Sequence, residues 1–281
     1  MKRTFSPIIY DCNDNCISCP VSRRKNRINP NFDDVKEEID EILQHSSHIE
    51  FNGGEPTLRK DLLKVLKYTE SKNPTEISLL TNVQAFCYRK YTEKIAKIKN
   101  LKIITTLYGH NSKIHDAITR TPMSFKHKIT GIKNLIKYNI PIELRILLHK
   151  MNYKYFNKIA EFIINNFNKN AFNKIVIMNP RLTAQAEKYK KAVAEKLTKI
   201  STVLNTPIQK LIKKGHNVEI YHFPHCVLPK SLWKYSRGVT SNKIEVVFTK
   251  ECKNCLKKQT CSKIWKSYLD IFGSKEFKPI K

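Results

Sequence analysis

The chain has 281 residues and a mass of 32.9 kDa, with 52 Lys+Arg against 24 Asp+Glu and a net charge of +28. This length supports one or two domains with a substantial core, and 41% hydrophobic with 27% charged residues excludes a disordered or collagen-like chain. No apolar run approaches the ~18 residues of a membrane span, and Asp11 interrupts the short apolar start, so a soluble, cytoplasmic protein without a membrane partner is expected.

Periodicity predicts a strand over Thr4–Tyr10, then a cysteine loop. A helix follows over Phe32–Leu43, with Asn31 and the pair Asp33-Asp34 as its N-terminal signal. His48–Asn52 reads as a strand running into Gly53-Gly54, Asp61–Ser71 as a helix, Glu76–Thr81 as a strand and Lys90–Lys99 as a helix. The alternation continues with a strand over Lys102–Leu107, a helix over Phe125–Tyr138, a strand over Ile142–Leu148, a helix over Tyr153–Asn166 and a strand over Asn173–Met178. Six strands alternating with helices predict an α/β fold, a partial (β/α)6 barrel of parallel strands with helices outside, carrying its functional loops at the strands' carboxyl ends.

After Pro180 the rhythm changes. Gln185–Lys214 reads as one long or broken helix containing Pro207, Asn217–His222 as a strand, and a cysteine-bearing tail ends in a short helix stopped by Gly273. The predicted division is therefore 1–180 for the barrel and 181–281 for a helix plus a small cysteine-rich domain. The positive balance fits an anionic partner, nucleic acid included, although lysines spread along solvated helix faces carry little information about function. The densest run is Arg23-Arg24-Lys25-Asn26-Arg27.

The cysteines are more informative. Cys12, Cys16 and Cys19 form a C-x3-C-x2-C loop directly after the first strand. Three thiolates on a 4Fe–4S cluster leave one iron open to a non-protein ligand, whereas zinc usually takes four closed protein ligands. Cys226, Cys252, Cys255 and Cys261 supply four thiolates near the other end, enough to ligate one 4Fe–4S cluster fully or to hold zinc, with His225 as a further candidate ligand. The lone Cys87 reads as a buried structural thiol. His110, His115, His149 and His222 read as loop or core residues.

The cysteine triplet is accompanied by Asn52-Gly53-Gly54-Glu55-Pro56-Thr57 after the second strand, Leu80-Thr81-Asn82 after the third, and Thr105-Thr106-Leu107-Tyr108 in the fourth. His115-Asp116-Ala-Ile-Thr119-Arg120, Gly131-Ile-Lys-Asn-Leu135 and Ile177-Met178-Asn-Pro180 follow. Together these motifs resemble the radical S-adenosylmethionine (SAM) enzymes over nearly the whole chain. The resemblance implies that the open iron chelates SAM and that Gly53 and Gly54 let backbone approach its methionyl moiety. Glu55 would fix the loop or accept from the ammonium. It also implies SAM contacts from Thr106, Arg145 and Met178; Thr106 reads equally as a buried strand threonine and Arg145 as a structural charge. Val83 stands where the family usually has glycine after Thr-Asn.

The tail resembles the auxiliary-cluster extension called twitch or SPASM, and its cysteine count favours one auxiliary 4Fe–4S cluster. Relatives with such a tail and a terminal Tyr268, Gly273, Glu276, Phe277 and Pro279 pattern are often peptide maturases. The leading expectation is a radical SAM enzyme, reduced by a flavodoxin- or ferredoxin-type protein, that abstracts hydrogen from a peptide or protein. A tRNA- or nucleotide-modifying enzyme is the second reading; the early motifs also resemble the molybdopterin-precursor cyclase, but its Gly-Gly carboxyl terminus is missing and the auxiliary spacing differs. A non-catalytic iron–sulfur or zinc protein is the third.

Overall fold

The computed structural model describes residues 4–21, 27–240 and 245–281; most of the basic run at 23–27 lies outside them. The chain divides into two units, residues 1–16, 21–106 and 115–143 in the first and residues 17–20, 107–114 and 144–281 in the second.

In the first unit β1 (Phe5–Ile9), β2 (His48–Gly53), β3 (Glu76–Leu80) and β4 (Leu101–Leu107) pair in parallel, β1 with β2, β2 with β3 and β3 with β4. Helices α1 (Phe32–Leu43), α2 (Leu62–Ser71), α3 (Arg89–Ile95) and α5 (Ser124–Lys137) connect or follow them, and α4 (Ser112–Thr119) crosses the unit boundary. Helix α1 begins where the sequence indicated. Asn31 accepts from the amides of Asp33 and Asp34 at 2.8 and 3.0 Å, and Asp34 returns a bond to the Asn31 amide, a reciprocal cap that satisfies orphan donors of the first turn. Its buried face is Val35, Ile39 and Ile42.

The second unit carries β5 (Ile142–Leu147), β6 (Lys174–Met178), β7 (Val218–Tyr221) and β8 (Ser236–Gly238), with β6, β7 and β8 paired in parallel. Strands β3, β5 and β6 are almost continuously buried, as expected for parallel strands covered on both faces. Strand order in the eight-stranded sheet follows chain order, β1 to β8. The α/β class predicted from the alternation is the one observed, and β7 and β8 extend it beyond six strands; β8, three residues long, is too short for a period of two to register.

Helix α6 (Phe156–Asn166) follows a single 3-10 turn. The segment read as one long or broken helix is four short ones, α7 (Gln185–Lys188), α8 (Lys190–Val193), α9 (Leu197–Ser201) and α10 (Asn205–Lys213). Extended backbone at Ala194 and Lys196 separates α8 from α9. Pro207 lies in the first turn of α10, where its missing N–H breaks no intrahelical bond. The tail holds the antiparallel pair β9 (Val246–Val247) and β10 (Ile264–Trp265), then α11 (Lys266–Phe272), which Gly273 ends at φ +66°. Among the described residues no helix is long and apolar enough to cross a membrane.

Candidate active site

In the first unit the loop after β1 is fixed by the loop after β2. Gly54 and Glu55 donate their amides to the carbonyls of Ile9 and Asp11, both at 2.7 Å. A Cβ on Gly53 would stand 2.1 Å from the Ile9 carbonyl oxygen, and one on Gly54 would stand 2.0 Å from that of Asp11. Gly53 also has φ +122°, a conformation that side chains oppose. The two glycines are therefore required by the chain's own backbone contact at residues 9–11. Asn82 reaches Asn13 and Gln84 reaches Asp14, each at 2.7 Å, while the Asn15 amide donates to Thr119. Arg59 donates to the carbonyls of Ile8 and Pro30. Cys12 and Cys16 ride on this braced loop, partly exposed and in no disulfide, and Cys19, of the same kind, belongs to the second unit.

Glu55 is 1% exposed, and its carboxylate is filled: it accepts from the Thr57 amide and hydroxyl, the Thr81 hydroxyl and the Asn82 amide. Burial raises its pKa against the pull of these donors. Of the two roles expected for Glu55, the geometry shows loop fixation: one side chain ties the turn after β2 to the turn after β3. Val83, next to Asn82, is fully buried with φ +58°, so the left-handed turn that glycine usually makes is made by a β-branched residue. Gly131 of α5 accommodates that turn, because a Cβ there would meet the Val83 carbonyl oxygen at 2.3 Å.

Sequence reasoning missed Lys128. This residue of α5 is 2% exposed and donates to the Asn82 carbonyl at 2.8 Å and the Thr105 hydroxyl at 3.0 Å. Burial pushes its pKa down to about 8, opposed by the negative charges of Asp14, Cys16 and Glu55. The signal was spacing: Lys128 stands four residues before Ile132 and seven before Leu135, on the helix's buried stripe. Thr105 is the buried threonine of β4; Thr106 beside it is only half-buried.

In the second unit Arg145 is half-buried on β5, and its charge adds to the burial that holds the His222 pKa down at about 3. Met178 ends β6 at 8% exposure, and its carbonyl accepts the Leu148 amide at 2.8 Å. His149 and His222 are buried, and desolvation keeps both uncharged; His115, buried in the first unit, is likewise shifted well down. Cys87 proves half-exposed at the end of a 3-10 turn instead of buried.

Cys226, Cys252, Cys255 and Cys261 line one cavity in this unit, together with His225 and Phe248. Their sulfurs receive polar hydrogens: the Lys278 amide donates to Cys226, those of His225 and Lys263 to Cys261, and that of Ile280 to Cys255 at 3.4 Å. The Thr249 hydroxyl lies 3.5 Å from the Cys252 sulfur. Burial, with smaller contributions from Cys261 and Cys252 and against the pull of the Lys278 amide, raises the Cys226 pKa to about 11. A filled cavity of this kind requires a positive group among the sulfurs to keep them as thiolates. Among the described residues no group of three or more His, Cys, Asp or Glu side chains is placed to hold a metal ion. In the same unit Tyr268 bonds Glu276, accepts the Leu197 amide at 2.9 Å and packs on Phe277.

Comparison with known proteins gives a consistent result. The sequence profile of the Radical SAM superfamily matches residues 6–163, more than half of the chain. A probable GTP 3′,8-cyclase of Saccharolobus islandicus is 23% identical over 262 residues, covering 89% of this chain and 80% of the cyclase. The crystal structure of Streptococcus suis SuiB bound to precursor peptide SuiA superposes with a TM-score of 0.60 at 19% identity, over 77% of this chain and 47% of SuiB. Native anSMEcpe with bound AdoMet and the Kp18Cys peptide gives 0.61 at 16% identity, over 76% and 62%. The matched part is thus about half of SuiB and less than two thirds of anSMEcpe.

Proposed function

This chain belongs to the radical SAM superfamily, and from that premise we propose that it modifies a peptide or protein, using one SAM-binding cluster and one auxiliary cluster. In the first unit Cys12 and Cys16 serve the SAM-binding 4Fe–4S cluster, with Gly53, Gly54 and Thr106 at the ligand; in the second Cys19, Arg145 and Met178 contribute. With the cluster and SAM bound, one electron from a flavodoxin- or ferredoxin-type reductant would release methionine and supply the 5′-deoxyadenosyl radical needed to take a hydrogen atom from the substrate. The chain's own task is to hold that chemistry in place. Glu55 and the glycines lock the loop, and the buried Lys128 places a positive charge near Cys16.

The observation that carries the peptide reading is the convergence of Cys226, Cys252, Cys255 and Cys261 on one cavity. Four thiolates would saturate four irons and leave none for substrate, so the substrate must be gripped by protein groups along its length, as a peptide can be. The peptide complexes of SuiB and anSMEcpe agree with this reading. A nucleoside triphosphate substrate is the second reading, favoured by the cyclase relatives that span 89% of the chain.

The test is anaerobic reconstitution with SAM and dithionite. About eight irons per chain are expected, against about four if the tail holds zinc or nothing. Formation of 5′-deoxyadenosine should disappear in Cys16→Ala. Loss of hydrogen mass from a peptide encoded beside this protein supports the peptide reading; consumption of GTP with no peptide changed overturns it.

A further inference from the structure

His225 occupies an unusual position in the tail. It is 6% exposed, yet neither ring nitrogen has a partner among the described residues. His149 and His222 each have one ring nitrogen satisfied, by the Met151 amide at 3.3 Å and the Thr240 amide at 3.1 Å. Buried polar atoms are nearly always hydrogen-bonded, so two unpartnered nitrogens on one ring call for a partner the described chain does not itself supply. The ring is also held in a set orientation. It stacks on Trp233 with centroids 5.4 Å apart and planes 28° from parallel, and Trp233 donates its indole N–H to the His225 carbonyl at 3.0 Å. The His225 amide is meanwhile spent on the Cys261 sulfur. His225, with its ring so fixed and its polar atoms unused, is among the residues that line the cavity of the four thiols.

We propose that the His225 imidazole gives an N–H to a sulfur of the auxiliary centre and so makes that centre easier to reduce. This rests on the four-thiolate reading of the cavity. A donor at sulfur favours the more negative, reduced state, and hydrogen bonds to sulfur are one of the means by which a protein sets a cluster's potential. Four thiolates already satisfy four irons, so the ring acts as a positioning residue beside the centre and not as a ligand.

The experiment is a potentiometric titration followed by electron paramagnetic resonance in a Cys16→Ala background, which leaves the auxiliary signal to be read alone. His225→Phe and His225→Gln are compared with the parent. Each protein should keep about four irons. The Phe variant should be about tenfold harder to reduce, a shift of about 59 mV to lower potential, with Gln recovering part of it through its carboxamide N–H. Equal potentials in all three proteins, with iron intact, overturn the role of His225 alone. Loss of iron in both variants overturns it in favour of a ligand. A parent without iron overturns the cavity reading and this inference with it.

Discussion

The two cysteine-bearing regions solve the same problem by different means. The loop bearing Cys12 and Cys16 is shaped by backbone packed on backbone, with Gly53 and Gly54 pressed against residues 9–11 at distances where no Cβ fits. The tail has two-residue strands and single 3-10 turns around its cysteines, and donors there are aimed at the sulfurs themselves. Its glycines stand in the open: a Cβ on Gly238 or Gly273 would meet nothing within 4 Å. The shape of the first region is set by the chain's own backbone contacts. If the second holds the proposed centre, much of its folding free energy would come from the metal, as in other small metal-binding elements.

Alanine at paired glycines would break this contrast most directly. Gly54→Ala should cost more than about 4 kcal/mol, since the Asp11 carbonyl cannot withdraw without opening β1. Gly273→Ala should cost only about 1 kcal/mol, the conformational penalty of a positive φ in open space. Urea midpoints check both, and equal losses would show that backbone contact is not what distinguishes the regions. Iron removal should act in the opposite sense, exposing amides such as Ile280 to hydrogen exchange while those of Gly54 and Glu55 stay protected.

A smaller effect sharpens the account of the first region. Lys128 has its pKa depressed from 10.5 to about 8, so below pH 8 the folded state bears the cost of a buried ammonium. Between pH 8 and 10.5 the unfolded chain binds a proton that the folded chain has released, and stability rises with pH. Relative to Lys128→Met, wild-type protein should gain about 3 kcal/mol across that window. A pH-independent difference would show that Lys128 stays charged, held so by Asp14, Cys16 and Glu55.

Much of this was legible in the sequence because it follows from period and spacing. Helix α1 has the bounds its apolar stripe and cap indicated, and the strands alternate as read. The four cysteines of the tail, grouped in the sequence reading as one ligand set, line one cavity. What escaped depends on tertiary contact. Lysine counts as surface in any pattern, so Lys128 hid on a buried stripe. The four short helices after Gln185 hid because their apolar residues keep a helical spacing across extended breaks at Ala194 and Lys196. The packing of Gly53 and Gly54 on the backbone at Ile9 and Asp11 has no signature in spacing or period.

Val83 offers the finest test of how much strain the first region tolerates. Its φ of +58° is a costly place for a β-branched side chain, about 1–3 kcal/mol, but the side chain is fully buried and contributes about 1.5–3 kcal/mol. The two terms nearly cancel, and substitutions separate them. Val83→Ala loses burial and keeps most of the strain, so it should destabilise by about 2 kcal/mol. Val83→Gly loses slightly more burial but removes the strain, so it should be the more stable variant of the two by about 1 kcal/mol. Glycine normally ranks below alanine, and the reversed order in thermal unfolding would be the signature. The normal order would mean that the turn relaxes once the valine is gone, and that the bonds the Val83 and Asn82 amides donate to Thr81 and Glu55 hold it less firmly than their geometry indicates.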